Sequence, residues 1–129
     1  MALTRLKKRR EFLQVAASKI VAKSQTVIVQ CLPIKGKVDG AAEVRVGFTA
    51  SRRVGNAVCR NKAKRRLRAW VDQNLKKKIP DAAMSYDFVF IALPSTGNSA
   101  FTKLSFDLEQ SVEKCLQQAL TSFKINNFF

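Results

Sequence analysis

"EVRVGFTASRRVGNAVCRNKAKRRLRAWV", residues 43–71, changes period in its middle. As far as Ser51 it alternates. Val44, Val46, Phe48 and Ala50 fall on one side, and Arg45, Gly47, Thr49 and Ser51 on the other, the pattern of a strand. The first face suits a core. The second is small and polar and suits close approach to something flat or wet. After "RRVG" the spacing becomes helical: Ala57, Cys59, Ala63, Leu67, Trp70, Val71 and Leu75 share one side. Gly55 can take a left-handed turn and Asn56 is a good N-cap. The stretch therefore predicts a strand, a tight turn and a helix over about 57–75.

The polar side of that helix is costly. "CRNKAKRRLR", 59–68, holds six cations and no acid, and no acid occurs anywhere from 44 to 71. Like charges at i, i+4 repel, and Arg60 and Lys62 sit near the helix start, where the dipole opposes them; the sum is about 1–2 kcal/mol in the free state. A phosphate backbone reverses that sign, and four of the six cations are Arg, which grips phosphate bidentately. A solvated charged face and a membrane-surface helix are the other readings of such a run. The second needs an exposed apolar face, whereas here that face carries Trp70 and is needed by the sheet. Asn61 is the uncharged polar residue on the ridge. It can orient an Arg or meet a ribose hydroxyl.

Upstream, 4–17 reads as a short basic helix capped by Thr4, with Leu6, Leu13, Ala16 and Ala17 as an incomplete stripe and Phe12 beside it. "TVIVQCLP", 26–33, reads as a strand ending at its proline, and "PIKGKVDGAA" as a loop. Downstream, "KKKIPDAAMS" ends the basic helix. "YDFVFIALP", 86–94, is apolar on both faces and reads as a central strand. A last helix over about 106–123, capped by Ser105, has Leu108, Val112, Cys115, Leu116, Ala119 and Phe123 as its stripe. These elements predict a single domain over 1–129, an α+β sandwich in which a small mixed sheet packs with about three helices.

The 129 residues carry a formal charge of +15, and the excess lies in the first 71; from 72 onward cations and acids balance. Such asymmetry favours a polyanionic partner, nucleic acid first and an anionic membrane surface second. No apolar run is long enough to span a membrane, and no signal peptide or internal repeat is evident. Cys31, Cys59 and Cys115 have neither metal-ligand nor redox-motif spacing and read as buried, reduced thiols of a cytoplasmic protein.

Residues 45–71 resemble the signature region of the bacterial ribonuclease P protein component. Arg60, Asn61 and Lys62 match its Arg-Asn-Arg/Lys core, and Lys64, Arg65 and Arg68 the basic continuation. Arg45, Gly47, Ser51, Arg52, Arg53, Gly55, Ala57 and Val58 match the preceding strand and turn. The likeness extends more weakly to Glu11-Phe12, "DFVFIALP" and the last helix. It implies a left-handed β-α-β crossover through the basic helix. It also implies a subunit that binds a catalytic RNA and the 5′ leader of precursor tRNA, the two together removing the leader. On this resemblance Arg52, Arg53, Arg60, Asn61, Lys62, Lys64, Arg65 and Arg68 form the RNA face, and Phe12 lines a leader cleft. Magnesium is held mainly by the RNA, and neither a membrane nor a small-molecule substrate is involved. The sequence departs from the family at Ala16, where a second aromatic is usual, at Gln30, where some members have a cleft tyrosine, and in "AASKIVAKS", which lacks the usual glycine.

The chain's own inventory argues against protein-based cleavage. It has no His, and Asp107, Glu109 and Glu113 read as the surface of an amphipathic helix, with Asp107 in its first turn. Hydrolysis is expected of a holoenzyme whose RNA does the chemistry. A non-catalytic ribosomal or rRNA-assembly protein is the alternative, and a stand-alone nuclease a more distant one.

Overall fold

A computed structural model describes residues 2–35, 43–79 and 84–128. The remainder of "PIKGKVDGAA" after Lys35, and Pro80 to Ala83 of "KKKIPDAAMS", lie outside the described residues. The elements are β1 (Ala2–Arg5), α1 (Arg9–Ala17), β2 (Ile20–Lys23), β3 (Val27–Lys35), β4 (Glu43–Ala50), α2 (Ala57–Lys78), β5 (Met84–Ala92) and α3 (Phe101–Phe128). Short 3-10 turns at Arg52–Val54 and Pro94–Thr96 precede α2 and α3. The five strands form one mixed sheet in the order β1-β4-β5-β3-β2. β4 runs parallel to β1 and to β5, while β3 runs antiparallel to β5 and to β2. β4, α2 and β5 make the parallel crossover unit. The expected α+β sandwich, with a mixed sheet and three helices, is the fold.

β5 is the central strand, and its two faces divide the core. Phe88 and Phe90 join Val27, Val29, Cys31, Val44 and Val46 beneath α2 and α3. Val89 faces the other way and joins Leu6 and Val15 beneath α1, with Phe12, Leu32 and Ile91 at the margin. The uninterrupted apolar run of β5 therefore has the expected cause, a strand covered on both sides.

Several boundaries differ from the sequence reading, each for a non-local reason. Residues 2–5 are not helix: they pair with Glu43–Val46 as a parallel edge strand, and the Thr4 hydroxyl donates to Glu43 at 2.6 Å instead of capping a helix. The helix starts at Arg9, so its inward side is Phe12 and Val15, while Leu13, Ala16 and Ala17 are exposed. β3 runs through Pro33 to Lys35. Its partner β2 ends at the Cys31 register, so one edge of β3 is unpaired at Pro33 among the described residues, where a missing N–H is tolerated. α3 begins at Phe101, and Ser105 lies inside it, where its Oγ accepts from Trp70 Nε1 at 3.2 Å. Asp107 is not a surface acid of a first turn. It is buried and accepts from the Thr26 hydroxyl at 2.8 Å and from Lys103 at 3.1 Å.

The acids of α3 near the end of α2 are also engaged. Lys78 pairs with Glu109 and, at 3.6 Å, with Glu113. The Glu109 hydrogen bond comes first among the causes that raise the Lys78 pKa. Burial raises the thiol pKa values of Cys31 and Cys115, the latter to about 12. Cys59, expected among the buried thiols, is exposed, as is Ala57, since burial along α2 begins only at Ala63.

Candidate nucleic-acid interface

The entry to α2 follows the local chemistry of "SRRVGN". Gly55 adopts φ 131°, which an L side chain rarely takes, and a Cβ there would sit 3.0 Å from Cys59 Cβ. Asn56 caps the helix, its side chain accepting from the Cys59 N–H at 3.0 Å. Ala63, Leu67, Trp70, Val71 and Leu75 are buried on the sheet. That fixes the rotation of α2 and sends its cations outward.

Asn61, Lys62 and Arg65 are exposed, while Arg60, Lys64 and Arg68 are half-buried. Arg52 and Arg53 are exposed on the preceding 3-10 turn. None of these cations forms an ion pair among the described residues, whose salt bridges involve Arg45, Lys78 and Lys103 instead. Arg60 makes a long contact to the Gly55 carbonyl, 3.4 Å, which keeps its head near the helix start.

Arg66 departs from the expected outward ridge. It donates to the Thr96 and Ser99 carbonyls at 2.7 and 2.8 Å, and its guanidinium stands 5.5 Å from the centre of the Phe101 ring. It pins the loop before α3 and so belongs to the fold. Nothing in the spacing of "KRRLR" separates Arg65 from Arg66. The distinction comes from the loop that α3 brings alongside.

A groove of about 220 Å³ gathers residues from four elements. Arg5 and Leu6 come from the end of β1, Phe12 from α1, Val46, Gly47 and Phe48 from β4, and Lys64 and Arg68 from α2. Phe12 thus shares the groove with two of the α2 cations. Arg52, Arg53, Arg60, Asn61, Lys62 and Arg65 lie outside the groove and extend the charged surface along and before α2. The Phe12 ring rests directly on Gly47: a Cβ at that position would come within 2.4 Å of Phe12 Cε1. Gly47 is therefore a seat for an aromatic, whereas the alternation of β4 marked only a small residue. Gln30 lies on this same sheet face, opposite Val89, and Ala16 is exposed one turn beyond Phe12.

Arg5, Leu6, Val46, Gly47 and Phe48 line the groove although the sequence reading assigned none of them to the RNA face. Arg5 lies 5.2 Å from the centre of the Phe48 ring, and Phe48, assigned to the core face, is only half-buried and stacks on Phe90 at 5.7 Å. The basic run beginning at Arg5 was a usable signal, but reading it as helix put Arg5 on the wrong element.

A cation-walled groove with an aromatic floor suits an unpaired polyanionic strand, whose bases stack while its phosphates meet Lys and Arg. Fold and site together define an α+β domain of the nucleic-acid-binding class. The Ribonuclease P family profile matches residues 2–119. The ribonuclease P protein component of Paramagnetospirillum magneticum is 39% identical over 112 residues, covering 87% of this chain and 82% of that relative. That of Shouchella clausii is 33% identical over 110 residues, covering 85% and 84%. In fold, the RNase P protein from Thermotoga maritima superposes with a TM-score of 0.68 at 24% identity, covering 85% of this chain and 96% of that one. The chain belongs to the ribonuclease P protein family. It is thus a component of a tRNA-processing ribonucleoprotein with endoribonuclease activity as a holoenzyme.

Proposed function

We propose that this chain binds the catalytic RNA of ribonuclease P through the α2 ridge and the 5′ leader of precursor tRNA through the Phe12 groove, with hydrolysis carried out by the RNA. The observation that carries this reading is the row of cations on α2, without ion pairs among the described residues, running into a groove floored by Phe12 and Gly47. In the free protein these cations repel one another. Between two RNAs they lower the repulsion between phosphates and so strengthen substrate binding.

Most of the acids among the described residues are already engaged by cations or hydroxyls. Glu11 and Asp87 are held by Arg45, Asp107 by Thr26 and Lys103, Glu109 and Glu113 by Lys78, and Glu43 by Thr4. Among the described residues, no cluster of three or more His, Cys, Asp or Glu is placed to hold a metal. Magnesium then enters with the RNA, where the protein's cations ease the crowding of phosphates. A cytoplasmic location suits this role. Among the described residues, no helix is long and apolar enough to cross a membrane.

Reconstitution with a bacterial ribonuclease P RNA at low magnesium tests the reading. The protein should raise 5′ cleavage of precursor tRNA and be inactive without the RNA. With about six phosphates neutralised, log K should fall against log salt with a slope of about −4 to −5. A flat salt dependence together with no gain in cleavage would sink the proposal. Binding to rRNA without any such gain would return it to the assembly-protein alternative.

A further inference from the structure

One residue before Phe12, Glu11 reaches back to the sheet. Its Oε1 accepts from the Lys8 and Lys7 backbone N–H groups at 2.8 and 3.0 Å. Its Oε2 meets Arg45 at 2.5 Å. The other side of the Arg45 guanidinium grips Asp87, Nε to Oδ1 at 2.8 Å and Nη2 to Oδ2 at 2.6 Å. Asp87 stands opposite Arg45 in the β4–β5 register, and its side chain is 2% exposed. A continuous charged chain therefore runs from the central strand to the first turn of α1.

The clamp and the seat of Phe12 share a strand. Arg45 and Gly47 are two residues apart on β4 and project to the same face. α1 has only nine residues, and Val15 is its one fully buried side chain. That is little packing to fix either the height or the rotation of the helix. A planar guanidinium bound on both sides supplies the missing constraint, because its fork accepts few orientations.

We propose that Glu11 and Arg45, backed by Asp87, are positioning residues of the leader groove. They hold α1 so that the Phe12 ring lies on Gly47 with its free face toward an incoming base. The proposal rests on the reading of the groove as the leader site. It differs from a plain structural ion pair in that its effect on binding passes through Phe12.

The test uses holoenzyme reconstituted with the RNA subunit and measures KM and kcat for precursor tRNA with a full and with a minimal leader. Phe12→Ala should raise the KM of the full-leader substrate by about tenfold, with kcat little changed. Glu11→Ala should raise it by about fivefold, again for the full leader only. The double variant should be no worse than Phe12→Ala alone, and Asp87→Asn should show the same non-additivity. If Glu11→Ala does not fold, Glu11→Gln serves, since it keeps a carbonyl to accept from Lys8 and removes the charge facing Arg45. Glu11 and Phe12 effects that multiply, or an equal loss on both substrates, would overturn the positioning role while leaving the groove intact. Absence of any leader-dependent effect for Phe12→Ala would instead remove the groove reading and this proposal with it.

Discussion

Arg65 and Arg66 are sequence neighbours for which the structure predicts opposite losses. Arg66 makes two charge-assisted hydrogen bonds to main-chain carbonyls, 2.7 and 2.8 Å, and stands over Phe101. Buried, each such bond would contribute about 1.5–3 kcal/mol. Arg66 is half-buried, and water can replace part of what is lost, so truncation should cost about 2 kcal/mol in all. For a chain of this size that lowers Tm by about 6–8 °C. Arg65 is exposed with no ion pair among the described residues, so Arg65→Ala should change Tm by about 2 °C or less. In RNA binding the order reverses. Removing one phosphate contact at Arg65 should make the log–log salt slope shallower by about 0.7–0.9 and weaken binding across sequences. Arg66→Ala should leave the slope unchanged under conditions where the variant remains folded. Thermal denaturation of both variants, paired with salt titrations of RNA affinity, measures all four quantities. If Arg66→Ala flattened the slope as much as Arg65→Ala and left Tm alone, the assignment of these two side chains would be wrong. The rotation of α2 on the sheet would then be wrong with it.

Lys19, just after α1, occupies the left-handed region at φ 60°. A non-glycine residue there costs about 1–2 kcal/mol, and glycine gives back about 0.5–1 in unfolded-state entropy, so Lys19→Gly should stabilise by about 0.5–1 kcal/mol. A Tm that falls on this substitution would contradict the strain. Acid stability should track Glu11 and Asp107. The Glu11 pKa lies below its ordinary 4.5 because it accepts from the Lys8 and Lys7 N–H groups, with Arg45 adding to this. At Asp107 burial pulls the other way, but the Thr26 and Lys103 contacts prevail and the pKa is lowered from 3.8. A depressed folded-state pKa gives stability that is complete above the unfolded value and is lost as pH falls through the folded one. Urea midpoints should therefore be level in this respect above about pH 5 and decline below about pH 4, less steeply in Glu11→Gln. An identical acid limb in Glu11→Gln would rule Glu11 out as a contributor.

Residues 43–78 were readable as a sequence because each step there is local. Alternation makes β4, Gly55 and Asn56 make the turn and cap, and the apolar positions of α2 set which side faces the sheet. The charge pattern on the remaining side needs no fold to announce a polyanion. β5 announced itself in the same way, through an apolar run with no solvent face. The errors cluster where a segment takes its structure from a distant partner. "ALTR" has no strand signal of its own and becomes β1 only because β4 offers it an edge, with Glu43 waiting for Thr4. "IVAK" becomes β2 only against β3.

The amino-acid sequence alone therefore determined the strand-turn-helix unit, the central strand and the cationic character of α2, since short-range periodicity and uncompensated charge require no tertiary contact to be read. Only the folded chain decided that Arg66 turns inward while Arg65 stays exposed, that Arg45 clamps α1, and that Arg5 and Phe48 complete the groove with Phe12. Each of those outcomes depends on which carbonyl, carboxylate or ring a remote element brings within a few ångströms, and spacing along one element carries no record of that.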